Sequence, residues 1–378
     1  MFCFNLIRHL TIFNEFMKTI ANFFVLLSLM LGGSPYATYA QHTKMYVGTY
    51  TSNSDSKGVY IFDFDEKTGQ AILSSTIVMS NPSFLARKGN ILYAVNEDTQ
   101  GQLSAYDLEK GILLNQYSTE GMHPCHVALS PVIPVAVVSN YSSGSLCLYS
   151  LNEDGSIAHM DDFLQFKGSG PDKKRQEGPH IHSAFFTKDG SEVYVSDLGT
   201  DKIYVFSIEQ RDGKYKFVKR HEIPTKAGGG PRHLAFSKDQ QTFYSILELT
   251  GEVQVFRKSA NEWKSVQILP LYSPGFDGEH GGADIKITED GSYVLATNRG
   301  TANVLCIYEI LKDGKLKKRQ ITSVLGDSPR NLNVSPSSNH VFITNQNTNN
   351  LIILPFQQGK VGEKLQEIEI PKPVCVIF

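Results

Sequence analysis

Tryptophan is nearly missing from this chain: Trp263 is the only one among 378 residues. Cysteine is sparse, and its five copies show no C-x-x-C spacing and no paired histidines, which argues against a zinc site. No charge of one sign dominates. The formal net charge is −2, without the basic excess that a nucleic-acid partner favours. No serine or cysteine nucleophile elbow is visible, which argues against a covalent acyl intermediate. The apolar run from Phe23 to Leu31 is too short to span a bilayer comfortably. What remains is a chain 41% hydrophobic and 20% charged, rich in Tyr, Phe and Gly, a balance that suits an all-β protein with a real core.

The first forty residues read as a targeting segment. Lys18 precedes the apolar run, Gly32-Gly33-Ser34-Pro35 breaks it, and small residues close at Ala40. That order is a removable export signal, with cleavage after Ala40 or Ala37 and an over-called start before Met17. The expectation is an exported, periplasmic or secreted protein with no stable membrane insertion after cleavage. Residues 41–378 then form one domain. Cys125, Cys147, Cys306 and Cys375 all fall in strand-like runs, where buried free thiols are common.

The mature chain repeats a unit of three strands. Gly178-Pro179-His180-Ile181-His182 opens one, the turn at Asp189-Gly190 leads to Val193-Tyr194-Val195, and Thr200-Asp201-Lys202 leads to Ile203 to Phe206. Similar openings occur at Asn81-Pro82-Ser83, His123-Pro124-Cys125-His126, Gly230-Pro231-Arg232-His233, Gly281-Gly282-Ala283-Asp284 and Ser328-Pro329-Arg330-Asn331. Adjacent opening prolines lie about 42 to 55 residues apart, near the period of four-stranded propeller blades. The ends complete a seventh unit. Met45 to Tyr50 and Gly58 to Phe62 lack a first strand, and Lys372 to Phe378 is a first strand lacking the rest. The expected fold is therefore a seven-bladed β-propeller closed by pairing of the N- and C-terminal strands, which removes open sheet edges. Two β-sandwich domains would leave the period unexplained.

Two recurring positions converge on the channel mouth of such a ring. The start of each first strand brings His126, His180, His182, Arg232, His233 and Arg330. The end of each second strand brings Asn96-Glu97, Asn140, Asp197, Glu248, Asn298-Arg299 and Asn345. Short polar side chains at strand ends also cap turns, the competing reading for Asn96, Asn140 and Asn345. Arg232 and Arg299 suit a carboxylate or phosphate. Glu248, between Leu247 and Leu249, is expected to have its pKa raised toward a useful range, or else to pair with an arginine.

The motifs Tyr46-Val47-Gly48-Thr49-Tyr50-Thr51, Gly178-Pro179-His180-Ile181-His182, Gly230-Pro231-Arg232-His233, Asn298-Arg299-Gly300 and Ser328-Pro329-Arg330-Asn331, in this order, resemble the lactonase family of seven-bladed propellers. That family contains bacterial 6-phosphogluconolactonases and fungal carboxymuconate-lactonising enzymes. The resemblance covers Met45 to Phe378. It implies a lactone hydrolase with His180 or His182, Arg232, Glu248 and Arg299 as catalytic residues. His126, Asp197, His233, Arg330 and Asn345 are the expected substrate contacts. No cofactor is expected, and no carboxylate cluster demands a metal. The partner is a small sugar lactone and the protein a monomer or weak oligomer. The expected substrate is 6-phosphogluconolactone or a related aldonolactone; because a sugar phosphate of this kind is cytosolic, either the protein stays in the cytoplasm or its lactone is a different, unphosphorylated one. Two other readings stand beside this one: a muconate-type lactonising enzyme, and a non-catalytic propeller binding a glycan or protein through insertions such as 167–177 and 270–279.

Overall fold

A computed structural model describes residues 42–260 and 262–378. The segment read as an export signal lies outside the described residues. Among the described residues there is no helix, and strands account for every regular element. They form seven sheets, each of four strands in meander order, with a short extra strand at 360–361 in the sixth. We number these blades from the first complete one. Blade 1 runs from Pro82 to Ser118, blade 2 from Pro124 to Gln165, blade 3 from Ile181 to Pro224 and blade 4 from Pro231 to Pro270. Blade 5 runs from Gly282 to Ser323 and blade 6 from Pro329 to Glu369. Blade 7 takes its innermost strand, Pro373–Ile377, from the C-terminal end and its other three from residues 42–78.

The closure follows the expected register. Tyr46 pairs with Ile377, Val47 with Val376 and Gly48 with Cys375, all antiparallel. The cysteine expectation also holds, since Cys125, Cys147, Cys306 and Cys375 are buried free thiols within strands.

Inner and outer strands differ in kind. The second strands are buried on both faces; in blades 2, 4 and 6 every residue of that strand is buried. They therefore read as near-continuous runs of Val, Ile, Tyr and Phe, which fit a pleated, packed surface. The core lies between blades. Tyr93, Val95 and Leu103 of blade 1 pack with Val127, Val138 and Tyr149 of blade 2, and Tyr244, Ile246 and Val255 of blade 4 with Ile285, Val294 and Tyr308 of blade 5. The fourth strands were not legible in the three-strand repeat. Strands Gln70–Val78 and Ile112–Ser118 are mostly exposed and mix polar with apolar residues.

Asparagine locks neighbouring blades together. Nδ2 of Asn96, Asn140, Asn298 and Asn345, each the last residue of a second strand, donates to the carbonyl of Ser80, Thr119, Leu271 and Val324 respectively, at 2.6–3.1 Å. Each of those carbonyls follows the outermost strand of the preceding blade. This is the turn-capping role, and it places Asn345 in the framework.

Candidate active site at the channel mouth

Two regularities of the backbone build the mouth. In all seven blades the innermost strand carries a β-bulge at its start. A bulge re-aims the residue it leaves unpaired. The residues passed over by the pairing include Cys125, His182, Arg232 with His233, and Arg330. Separately, in all seven blades the residue just after the second strand donates its N–H to the carbonyl just before the first strand. The donors are Glu97, Tyr141, Leu198, Glu248, Arg299, Gln346 and Tyr50, at 2.8–3.1 Å. All but Leu198 line one cavity of about 710 Å³.

The second regularity corrects the sequence reading by one residue. Asn140 and Asn345 end their strands, and it is the following residue that turns toward the channel; Asp197 also ends its strand, but Leu198 after it does not line the cavity. Tyr141 and Gln346 line the cavity, whereas Asp197 is consumed locally. Its carboxylate accepts from the His180 and Gly199 N–H groups, at 2.8 and 3.0 Å, and from the Thr200 hydroxyl at 2.7 Å. Glu97, read from the sequence as a mouth residue, does line the cavity, and Tyr50 and Tyr141 were recoverable by aligning every repeat on Glu97, Glu248 and Arg299.

Glu248 is the hub of one side of the mouth. Its Oε2 accepts from Arg299 Nη2 at 2.8 Å and from Arg232 Nε at 3.0 Å. Its Oε1 accepts from Arg175 Nη2 at 2.5 Å. Burial pushes the Glu248 carboxyl up, but the guanidinium groups of Arg299, Arg232 and Arg175 outweigh it and hold the group well below the usual carboxylate range. Of the two readings of Glu248, pairing with an arginine is the one seen and a raised pKa is not: the flanking leucines suggested an apolar setting, and three cations from other segments reverse it. Three positive charges on one carboxylate leave a local positive surplus. Arg232 is itself buried, donates to the Ala283 carbonyl at 2.6 Å, and does not line the cavity. Burial, with Arg299 and Arg330 nearby, pushes it down to about 10, so it stays charged at neutral pH. Gly300 serves this side too: its φ is +74°, and a Cβ there would meet the Glu279 carbonyl at 2.4 Å.

Arg175 was missed because it lies in the 167–177 insertion, read above as an outer surface. That segment instead folds over blade 3. Gln176 is fully buried, and its Nε2 donates to the Leu198 carbonyl at 2.8 Å and Asp201 Oδ1 at 2.7 Å. The insertion thus covers the one mouth position that faces no cavity and supplies Arg175 in its place. Glu279 and His280, at the end of the other insertion, also line the cavity.

The histidines separate. His182 lines the cavity; its Nδ1 lies 3.8 Å from Cys125 Sγ. Burial and the Arg232 charge hold its pKa well below the ordinary histidine value, so it is neutral at pH 7. Burial pushes the Cys125 thiol up, so it keeps its proton, and Sγ donates to the His182 carbonyl at 3.3 Å. His180 does not line the cavity. It stacks on Tyr141 with ring centroids 4.6 Å apart, and its Nε2 lies 3.3 Å from Glu177.

His126 and His233 lie off the cavity as well, buried behind it. His126 packs on Phe84 at 4.2 Å and against His233 at 5.4 Å. His233 Nδ1 pairs with Asp284 Oδ1 at 2.7 Å, and burial pushes its pKa down to about 4. Asp284, quoted in the sequence only as part of a repeat opening, is held well below the carboxylate range by Lys286 and His233 although burial opposes it. These two histidines belong to the packed floor beneath the site rather than to its wall.

The opposite side of the mouth is built by blades 6, 7 and 1. Arg330 stacks over the Tyr50 ring at 5.2 Å, and the Tyr50 hydroxyl donates to Glu97 Oε2 at 2.8 Å. Among the described residues no group of three or more His, Cys, Asp or Glu side chains is arranged to hold a metal ion.

A closed ring of seven blades with a polar, arginine-rich pocket at one mouth defines the class: a propeller with a small-molecule site. The chain belongs to the seven-bladed β-propeller lactonase family, whose profile matches residues 44–378. It is 32% identical to a 6-phosphogluconolactonase of Formosa agariphila over 86% of this chain and 96% of that one. It is 31% identical to a 6-phosphogluconolactonase of Bacillus subtilis over 88% and 97%. The structure of a periplasmic gluconolactonase from Pseudomonas aeruginosa matches with a TM-score of 0.81 at 30% identity, covering 88% of this chain and 98% of the other.

Proposed function

We propose that this protein hydrolyses a sugar lactone in the mouth cavity, with His182 taking the proton from the attacking water. The observation that carries this is the pairing of a neutral, cavity-facing imidazole with a surplus of guanidinium charge around Glu248. With Cys125 directing its S–H to a carbonyl, the sulfur is free to accept Nδ1–H of His182. That tautomer leaves the Nε2 lone pair for a water proton. The water oxygen then adds to the lactone carbonyl carbon, and Arg299 and Arg175 stabilise the oxyanion that forms. Collapse breaks the ring C–O bond, the proton held on His182 passes to the departing ring oxygen, and the carboxylic acid so formed loses its own proton to solvent, leaving the hydroxy acid as its carboxylate. Glu248 stays ionised and fixes the arginines; Arg232 braces it from behind. A pKa so low makes Glu248 a poor proton acceptor near pH 7.

The test is lactone opening corrected for the spontaneous rate. His182→Asn should lower kcat by about 10² to 10⁴-fold, the usual scale for a lost general base, with KM little changed. Full activity in His182→Asn would remove it from the mechanism. No acceleration by the unaltered protein would favour the binding-module reading, and preference for a muconolactone would favour the lactonising one.

Export belongs to the same proposal. The charged start, short apolar core and small-residue close of residues 17–40 support it, as does the periplasmic location of the Pseudomonas relative. N-terminal sequencing of the mature protein should give Gln41 or a residue close to it; an intact terminus in a cytosolic fraction would refute it.

A further inference from the structure

The side of the mouth facing Glu248 carries two groups that the proposed mechanism does not use. Arg330 has a side chain only 18% exposed, yet among the described residues it donates no hydrogen bond. Its nearest carboxylate oxygen, Glu97 Oε1, is 3.8 Å away, too far for one. Among the described residues Glu97 Oε1 accepts no hydrogen bond either, since Tyr50 occupies only Oε2. A mostly buried guanidinium left without hydrogen-bond acceptors costs stability unless a ligand supplies them. Both groups line the cavity, as does Gln346 beside them.

Side by side, they present N–H donors that need an acceptor and a carboxylate oxygen that needs a donor. A hydroxyl group is both acceptor and donor. A phosphate dianion is acceptor only; it would satisfy Arg330 but be set against the Glu97 charge. The flat face of Tyr50 is held in place by Arg330 above it. Blades 6, 7 and 1 are consecutive in the ring, as are blades 3, 4 and 5, which carry His182, Glu248 and Arg299. A lactone whose carbonyl meets His182 and Arg299 therefore extends its hydroxyl-bearing tail toward Tyr50, Glu97 and Arg330.

We propose that Tyr50, Glu97 and Arg330 form the subsite that reads the tail of the sugar, and that Glu97 selects a free hydroxyl over a phosphate ester there. This rests on the lactone-hydrolase reading and names the substrate class within it: neutral polyhydroxy lactones.

The experiment compares glucono-δ-lactone with its 6-phosphate in the unaltered protein and in Glu97→Gln. The unaltered protein should prefer the neutral lactone. The variant should lose about 10-fold in kcat/KM on it, chiefly through KM, as expected when a polar site loses a partner for a substrate hydroxyl. On the phosphate ester kcat/KM should hold or rise, so the ratio of the two shifts by about 10-fold or more. Arg330→Gln, a second variant, should weaken both substrates and the phosphate ester more. An equal fall in kcat on both lactones in Glu97→Gln, or an unchanged ratio, overturns the subsite. If the unaltered protein opens neither lactone, the hydrolase reading fails on its own. Calorimetry with gluconate and 6-phosphogluconate then tests the subsite, where an unchanged preference between the two in Glu97→Gln overturns it.

Discussion

The cavity has two carboxylates at the same position of two repeats, and they live in opposite circumstances. Glu248 follows the second strand of blade 4 and is gripped by three guanidinium groups from three different segments. Glu97 follows the second strand of blade 1, accepts from one phenol, and among the described residues pairs with one arginine, at 3.8 Å. Backbone geometry is shared, so the difference comes from what neighbouring blades and insertions deliver. Residue type alone does not reveal whether a carboxylate is a framework counter-ion or an open ligand. The partners that arrive from far along the chain decide it.

The harshest way to break this comparison is to remove the strand that both sides depend on. Deleting residues 373–378 takes away the innermost strand of blade 7, unpairs residues 46–49 and frees the Tyr50 N–H from the Lys372 carbonyl. Soluble protein should be lost; a truncated form that melts like the full chain would refute closure.

Next in size, Glu248→Gln removes the counter-ion of three buried or half-buried arginines. It should cost about 3–5 kcal/mol of stability, the scale for breaking a buried ion pair by removing one partner. Glu97→Gln, by contrast, should cost about 1 kcal/mol or less, because its pairing is loose. Chemical denaturation of both variants measures the contrast. Equal losses would show that the two carboxylates are equivalent after all.

A smaller effect comes from the floor between the two sides. His126, His182 and His233 all have native pKa values below that of an unfolded histidine, with His233 at about 4. Between that value and about 6.5 the unfolded chain binds protons that the native state refuses, so stability falls as the pH drops through this window. Melting temperature should decline from pH 7 to 5, and His233→Asn should flatten the decline relative to the unaltered protein. The same low pKa of His182 predicts a rate that stays level where an ordinary histidine would titrate, from pH 7 down to 6. A halving of kcat at pH 6.5 would contradict it.

The mildest test is Tyr50→Phe, which removes the donor to Glu97 Oε2 and keeps the ring under Arg330. A few-fold rise in KM for the neutral lactone and a stability change of about 1 kcal/mol are expected.

Much of the fold was legible because the signals were local and repeated. Opening prolines, buried second strands and turn glycines recur blade after blade, and the unmatched strands at the two ends predict their own pairing. The fourth strands were not, since an exposed edge carries no hydrophobic pattern. At the site, Glu248 stood out because it sits between two leucines, and Arg299 because a guanidinium at a strand end calls for an anion. Arg175 did not, because an insertion has no register. Asn345 was misplaced by a single residue, which in a strand with a two-residue period is enough to turn a side chain from the pocket to the framework, and Asp197 was misplaced because its carboxylate is taken up by its own turn. The pKa of Glu248 was beyond sequence reading for a related reason: its sign depends on Arg175 and Arg299, distant in the chain.

The hydrogen bond from each post-strand N–H to the carbonyl before the first strand has a further consequence. It uses main-chain atoms only, so it holds the turn whatever side chain sits there. The mouth is thus a set of seven interchangeable addresses, occupied here by Tyr50, Glu97, Tyr141, Leu198, Glu248, Arg299 and Gln346. A lineage, or an engineer, can rewrite Glu97 or Gln346 without redrawing the loop that carries it. At Leu198 the address is already closed by the Arg175 insertion, which shows the second route to novelty: covering an old address with a new segment. Ring chemistries can in this way diverge by single substitutions while the propeller stays the same.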